Sequence, residues 1–329
     1  MLKLNLQDSI DRAMEYSPAI KLKKNQQEQV KFDYRDALGG ALPNISASFD
    51  MQKFTQKPVI SGFSLNSTYQ RDTGITVSQP LFSFGAVGNA IRAADAAVDV
   101  SNLDEVLTKR QVEYAVKLSY YNIQLAQKQL DILDQALGNA KENLRILRRY
   151  FSSGRPPQQD LIRLQTDVAS RTSQVQEARQ TLAQAESKFK ILLGLPLSKK
   201  VELQFEPNQA FRDLTDEEIQ QGRLETQPQL QLYDKQIEYS EYLAKAQRAS
   251  IYPQLDAYYT WSTSARSDRG AFDTDSTVDT GVVGLKLTWD IWAGGSNRAK
   301  LDKAYAVQRN AQIQKAQQKD DLVEALQDK

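Results

Sequence analysis

The stretch Ala41-Leu42-Pro43-Asn44-Ile45-Ser46-Ala47-Ser48-Phe49-Asp50-Met51-Gln52-Lys53 has a counterpart in Ile251-Tyr252-Pro253-Gln254-Leu255-Asp256-Ala257-Tyr258-Tyr259-Thr260-Trp261-Ser262-Thr263, displaced by 210 residues. In the first, the odd positions Ile45, Ala47, Phe49 and Met51 are apolar and the even ones, Ser46, Ser48, Asp50 and Gln52, are polar. In the second, Leu255, Ala257, Tyr259 and Trp261 alternate with Asp256, Tyr258, Thr260 and Ser262. Such a two-residue period reads as a half-buried strand. Because 210 is even, the offset preserves which face is apolar.

The same offset holds outward from these strands. Upstream, Ser17-Pro18-Ala19-Ile20 falls on Gln227-Pro228-Gln229-Leu230. Downstream, Gly74-Ile75 falls on Gly284-Leu285, Pro80-Leu81-Phe82 on Asp290-Ile291-Trp292, and Gly85 on Gly295. A gapless register of this length indicates an internal tandem repeat. Residues 1–210 form the first unit: a helix from about Leu6 to Leu38, strands within about 44–82, a helical hairpin over 86–193 and an irregular connector over 194–213. Residues 211–329 form the second: a helix from about Asp216 to Ser250, strands within about 254–292 and the start of a long helix. The last strand is read through Leu285, Leu287, Trp289 and Ile291, against Lys286, Thr288 and Asp290. The second strand is less regular, with Ile75, Val77 and Leu81 sharing their face with Gln79.

Two arrangements suit these strands. One is a soluble antiparallel sheet with one face on a core. The other is a barrel in lipid, favoured by the aromatics Tyr258, Tyr259, Trp261, Trp289 and Trp292 and by long polar tips over about Lys57–Thr68 and Ser264–Thr277. In a barrel, Phe49, Trp261, Leu287 and Trp289 face lipid, and Asp50, Asp256, Lys286 and Asp290 face the lumen. Four strands cannot close a barrel, so closure requires several chains.

The helices carry a different period. Ile123, Ala126, Leu130, Leu133, Leu137, Ala140, Leu144, Leu147 and Phe151 advance by alternating steps of three and four. The pattern resumes through Leu161, Leu164, Val168, Arg171, Val175, Ala178, Leu182, Ala185, Phe189 and Leu192, with Arg171 its one polar member. This is the seam of helices supercoiled on one another. The first of them, from near Ala86 to near Tyr150, would be on the order of 100 Å long. Around the turn between them stand Lys141, Arg145, Arg148, Arg149, Arg155 and Arg163. Cations there complement the helix dipole; the second reading is a docking patch for a partner's carboxylates.

Composition excludes much chemistry. The chain of 329 residues has neither cysteine nor histidine, which removes thiol nucleophiles, disulfides, histidine bases and zinc sites of the usual ligands. No catalytic residues, metal or cofactor are expected. Forty-two basic residues against 41 acidic leave a net charge of +1, which offers nothing to nucleic acid. The first residues lack the apolar core of a signal peptide, so the protein is cytosolic or its leader is absent from this sequence. No run approaches the ~18 apolar residues of a membrane helix.

Taken together, a Pro-x-Ile after Gly39-Gly40, paired strands, Pro80-Leu81-Phe82-Ser83-Phe84-Gly85 entering a long helix, and Phe151, Gly154, Asp160-Leu161 and Leu193-Gly194-Leu195-Pro196 resemble the TolC-like outer membrane efflux family. The resemblance covers essentially the whole chain. It implies a mainly α fold with β: long antiparallel helical hairpins, forming a helical barrel, continue from a transmembrane β-barrel built by several subunits, four strands from each. It implies a homotrimer in the bacterial outer membrane, with helices reaching into the periplasm. The implied function is passive: an exit duct for drug efflux or for protein or solute export, working with a periplasmic adaptor and an inner-membrane transporter. The turn residues Arg149, Ser153, Gly154 and Arg155 are its candidate adaptor-docking tip. Set against the family, the second hairpin stops before its return helix, so the gate residues would lie beyond Lys329. The competing function is a soluble coiled-coil scaffold or adaptor with a small β-domain.

Overall fold

The computed structural model describes residues 2–55, 59–60, 63–64, 68–151, 158–205, 227–270, 272–273 and 276–327. They divide into two compact units, Met1–Gln26 with Asp104–Glu218, and Gln27–Leu103 with Ile219–Lys329. The division cuts across the halves of the sequence.

In the first unit, β1 (Leu2–Leu4) leads into α1 (Leu6–Tyr16) through a capping box. The Asn5 side chain accepts from the Asp8 N–H at 2.7 Å, and the Asp8 carboxylate accepts from the Asn5 N–H at 3.2 Å. The single helix expected from Leu6 onward is broken in two. Ser17 is extended (ψ 125°) and Pro18 opens α2 (Pro18–Gly39), because proline disfavours helical backbone in the residue before it and suits a helix's first position. α3 (Ala86–Phe151) and α4 (Gln158–Leu192) are the two long helices, at bounds close to those read from the heptads. Every described position of both seams is buried or half-buried. Arg171 is tolerated there because its Nε donates to both carboxylate oxygens of Asp167, one turn earlier, at 3.0 and 2.9 Å.

The core of this unit gathers Ile10, Ala13, Ile20, Val116, Ile123, Phe189 and Leu193, each under a tenth exposed. The stretch expected to be an irregular connector contains β6 (Val201–Leu203), which pairs in parallel with β1, Leu2 opposite Val201 and Leu4 opposite Leu203. The Tyr120 hydroxyl donates to the Gln204 carbonyl and secures this strap to the helices. α4 closes with Gly194 at φ +63°: the Leu195 N–H returns to the Lys190 carbonyl at 2.8 Å and the Gly194 N–H to Ile191 at 3.0 Å.

The second unit holds a four-stranded antiparallel sheet of β2 (Asn44–Lys53), β5 (Tyr69–Phe82), β7 (Gln254–Ser267) and β8 (Ser276–Thr288), in the order β2-β5-β7-β8. A small pair, β3 (Val59–Ile60) and β4 (Phe63–Ser64), lies in the first tip. The second tip is shorter than expected, since β7 runs on to Ser267 and β8 begins at Ser276. The helices α5 (Pro228–Ala249) and α6 (Ser296–Gln327) pack together, and Lys315 of α6 binds Asp234 of α5. The Lys235 ammonium lies 2.9 Å from both Asp99 and Glu238, and these carboxylates hold its pKa above the usual lysine value.

Several element bounds fall 210 residues apart: Pro18 and Pro228 open α2 and α5, Asn44 and Gln254 open β2 and β7, and Ala86 and Ser296 open α3 and α6. Before the last pair, Phe84 and Gly85 have φ of 50° and 86°, and Gly294 and Gly295 have 61° and 83°. β8 stops earlier, at Thr288, whereas β5 continues through an irregularity to Phe82.

Candidate functional site

The register of the sheet decides what each face presents. Ile45 lies opposite Val77, Val77 opposite Tyr259 and Tyr259 opposite Val283; Ala47, Ile75, Trp261 and Gly281 form the next row. Odd positions thus meet odd positions across all four strands, and both expected apolar sets lie on one face. That face is open to solvent in the isolated chain, with Phe49 62% exposed, Trp261 41% and Leu287 66%. At a rise of about 3.4 Å per residue, its apolar rows extend about 20 Å along β7 from Leu255 to Trp261. Toward the tip the rows gain charge, with Asp279 opposite Thr263 and Arg71 opposite Met51.

One strand departs from simple alternation. Between Pro80 and Phe82 the register shifts, so that Phe82, not Leu81, lies opposite Leu255. The bulge absorbs one residue and moves the even-numbered Phe82 onto the apolar face. The sequence reading had placed Leu81 there.

The even face is polar and concave. Asn44, Thr76, Ser78, Asp256, Tyr258 and Lys286 line a concavity of about 1080 Å³ that is also lined by Asp36 and Gly39 of α2 and by Gly40 just beyond it. Asp256 lies opposite Lys286, and the Thr76 and Thr260 hydroxyls are 3.1 Å apart. The Tyr258 ring crosses Gly284, where an added Cβ would stand 2.8 Å from the ring, so the glycine leaves room for it. Asp50 is on this face too, opposite Asp72. Asp290 is not on a strand. β8 ends at Thr288, and Trp289 turns its indole N–H back to the Ile251 carbonyl at 3.1 Å. Trp289, 53% exposed, and Asp290 therefore sit in the turn before α6, beyond the reach of strand alternation.

Of the docking-tip residues, Arg149 is exposed in the last turn of α3, and Ser153, Gly154 and Arg155 lie outside the described residues. The sequence reading overlooked a second apolar stripe on α3. Leu118, Leu125, Ile132 and Ile146 are 41–66% exposed and separated by seven residues or a multiple of seven. That spacing was available in the sequence, but the more regular seam beside it drew the assignment.

Among the described residues no group of three or more acidic side chains is placed to hold a metal, and no helix is long and apolar enough to cross a membrane.

These features have counterparts in known proteins. The chain is 23% identical over 286 residues to the proteases secretion protein PrtF of Dickeya chrysanthemi, covering 84% of this chain and 61% of that protein. It thus spans less than two thirds of that relative's length. Among solved structures it is similar to CusC, whose crystal structures were described for folding and transmembrane channel formation, with a TM-score of 0.78 at 19% identity over 98% of this chain and 74% of that one. It is also similar to the CmeC outer membrane channel of Campylobacter jejuni, with a TM-score of 0.79 at 19% identity over 95% and 67%. The fold, long helices with a four-stranded sheet, is the one these channels have. The family model of outer membrane efflux proteins matches residues 10–195 and 220–329, and the chain belongs to that family.

Proposed function

We propose that the chain is the subunit of a passive exit duct in the bacterial outer membrane, with its helices in the periplasm, serving drug efflux or the export of proteins or solutes. The observation that carries this reading is the shared parity of the four strands. It gathers an exposed apolar face on one side and a polar concavity on the other, as a wall between lipid and a water-filled lumen requires. Phe49, Trp261 and Leu287 face lipid, with Trp289 at the sheet's base. Asp50, Asp256 and Lys286 face the lumen, and Asp290 stands at its mouth.

The duct closes by association. β2 and β8 are the outer strands of the sheet, each with a ladder edge unpaired among the described residues. An exposed edge of ten residues or more is a liability in a monomer and a joint in a closed barrel. A homotrimer supplies twelve strands, and the second stripe of α3 meets a neighbouring helix. Residues 1–210 and 211–329 act as tandem repeats that set two strands each into the wall. The periplasmic adaptor and the inner-membrane transporter supply selection and energy, and the duct supplies a path.

The test is fractionation followed by electrophysiology. The protein should sediment with outer membranes, resist alkaline extraction, run as a trimer in detergent and give stable conductance in planar bilayers. Release by alkali together with absence of conductance would sink the reading and leave the soluble scaffold.

A further inference from the structure

After α4 the chain reverses and β6 returns beside α3 and α4, leaving a wedge of about 300 Å³ between the strand and the two helices. Its floor is apolar. Ile123 of α3 and Phe189 of α4 are buried there, and Val201 and Leu203, two residues apart and so on one side of β6, are half-buried. The rest of the lining is polar. Gln127 stands one turn beyond Ile123, and Glu186 stands three residues before Phe189, so each shares a helix face with a floor residue.

Two of these polar groups lack a partner. Neither the Glu186 carboxylate nor the Gln127 amide makes a hydrogen bond or an ion pair among the described residues, although both residues are half-buried. Lys190, four residues after Glu186, is spaced to pair with it. Its ammonium instead reaches past the end of α4 and donates to the Leu197 carbonyl at 3.4 Å. Glu202, the other carboxylate of the lining, is answered by Lys3 at 3.9 Å. The wedge therefore presents one uncompensated carboxylate and an amide oxygen beside apolar side chains. Water surrounds a half-buried carboxylate less completely than an open one, so a cation is held there more strongly than at the surface.

We propose that the wedge binds a small amphipathic cation, a primary ammonium carried on an aromatic body. The ring lies on Ile123, Phe189, Val201 and Leu203, and the ammonium donates to the Glu186 carboxylate and the Gln127 amide oxygen. At about 300 Å³ the wedge is at the small end of ligand pockets, which limits the body to a single ring or a fused pair. The site is made only by α3, α4 and β6 of the first unit, apart from the polar concavity of the sheet, and it goes beyond the duct reading.

Three probes with one indole body test it: tryptamine, the neutral tryptophol and the anionic indole-3-propionate. Methyl NMR of Ile123, Val201 and Leu203 is read on the full chain in detergent at neutral pH. Tryptamine should shift these methyls saturably and bind at least about tenfold more tightly than tryptophol, since a hydrogen bond to a charged group is the stronger one. Indole-3-propionate should not bind. Glu186→Gln should bring tryptamine down to the affinity of tryptophol. Glu186→Lys should bind indole-3-propionate and reject tryptamine, a gain that structural damage does not produce. Glu177→Gln, the same change of charge at an exposed position of α4 outside the wedge, should leave tryptamine binding as it was. Val201→Trp, which fills the wedge, should abolish tryptamine binding with the far-UV circular dichroism unchanged, and it serves if a Glu186 variant does not fold.

Equal affinity for the three probes, or a preference for tryptamine that survives Glu186→Gln, overturns the proposal. So does binding retained in Val201→Trp. Shifts that grow without saturation mark partition into detergent and overturn it as well. The measurement involves no bilayer, so it can fail while the conductance result stands, and the reverse.

Discussion

At the scale of single residues, two glycines show how far position outweighs residue type. Gly194 ends α4 with φ +63°, and a Cβ there would stand 3.2 Å from the Cβ of Tyr16. Gly194→Ala therefore meets both a left-handed backbone and a close neighbour, and should cost about 1–3 kcal/mol. Gly138 lies inside α3 with nothing within 4 Å of its would-be Cβ, so Gly138→Ala should stabilise by about 1 kcal/mol. Urea unfolding followed by far-UV circular dichroism checks both. Shifts of the same sign in the two variants would contradict the geometry.

At the scale of elements, the end of α3 is held by local charge. The Arg145 guanidinium, bonded to Glu142, keeps that carboxyl below its ordinary value of 4.5. A lowered carboxylate pKa contributes stability that is present above the unfolded value and is lost as pH falls through the folded one. The end of α3 should therefore loosen only in acid below 4.5, the group's ordinary value. Carboxyl-carbon NMR should show Glu142 titrating below 4.5 in the native chain and returning toward 4.5 in Arg145→Ala. An unchanged titration in that variant would remove Arg145 as the cause. Both side chains are exposed, so the effect on overall stability is small.

At the scale of the whole molecule, the two faces of the sheet must meet different solvents if the duct reading is right. Leu285, 67% exposed on the odd face, would put a charge into hydrocarbon as Leu285→Arg, at about 2–4 kcal/mol near the bilayer midplane. Asp256→Asn, on the concave face, should leave assembly intact and alter ion selectivity. Trimer yield after membrane extraction separates them. Equal yields of the two variants would show that the odd face does not meet lipid. The exposed stripe of Leu118, Leu125, Ile132 and Ile146 belongs to the same scale, since it has meaning only beside a neighbouring helix.

What the amino-acid order determined by itself was periodicity. Alternation at Ile45–Met51 and Leu255–Trp261 set the faces of two strands, and the heptads on either side of the turn after Phe151 set two long helices. The break at Ser17-Pro18 had its signal in the sequence too, since proline acts on its immediate predecessor, but the apolar pattern on either side of it read as one helix from Leu6 to Leu38. Tertiary structure alone decided which strands pair. Alternation tells a residue which face it takes but not its neighbour, and β5 meets β7 across 184 residues at Thr76 and Thr260. The bulge at Leu81, which moves Phe82 onto the apolar face, exists only relative to a partner strand. The three-residue pair β1 and β6 is too short to have a period, and the buried side of Leu4 against the core holds it in place. The end of α3 stands between these cases: Lys141, Arg145 and Arg148 were plain in the sequence, but only the fold brings Val168 of α4 beside Leu144.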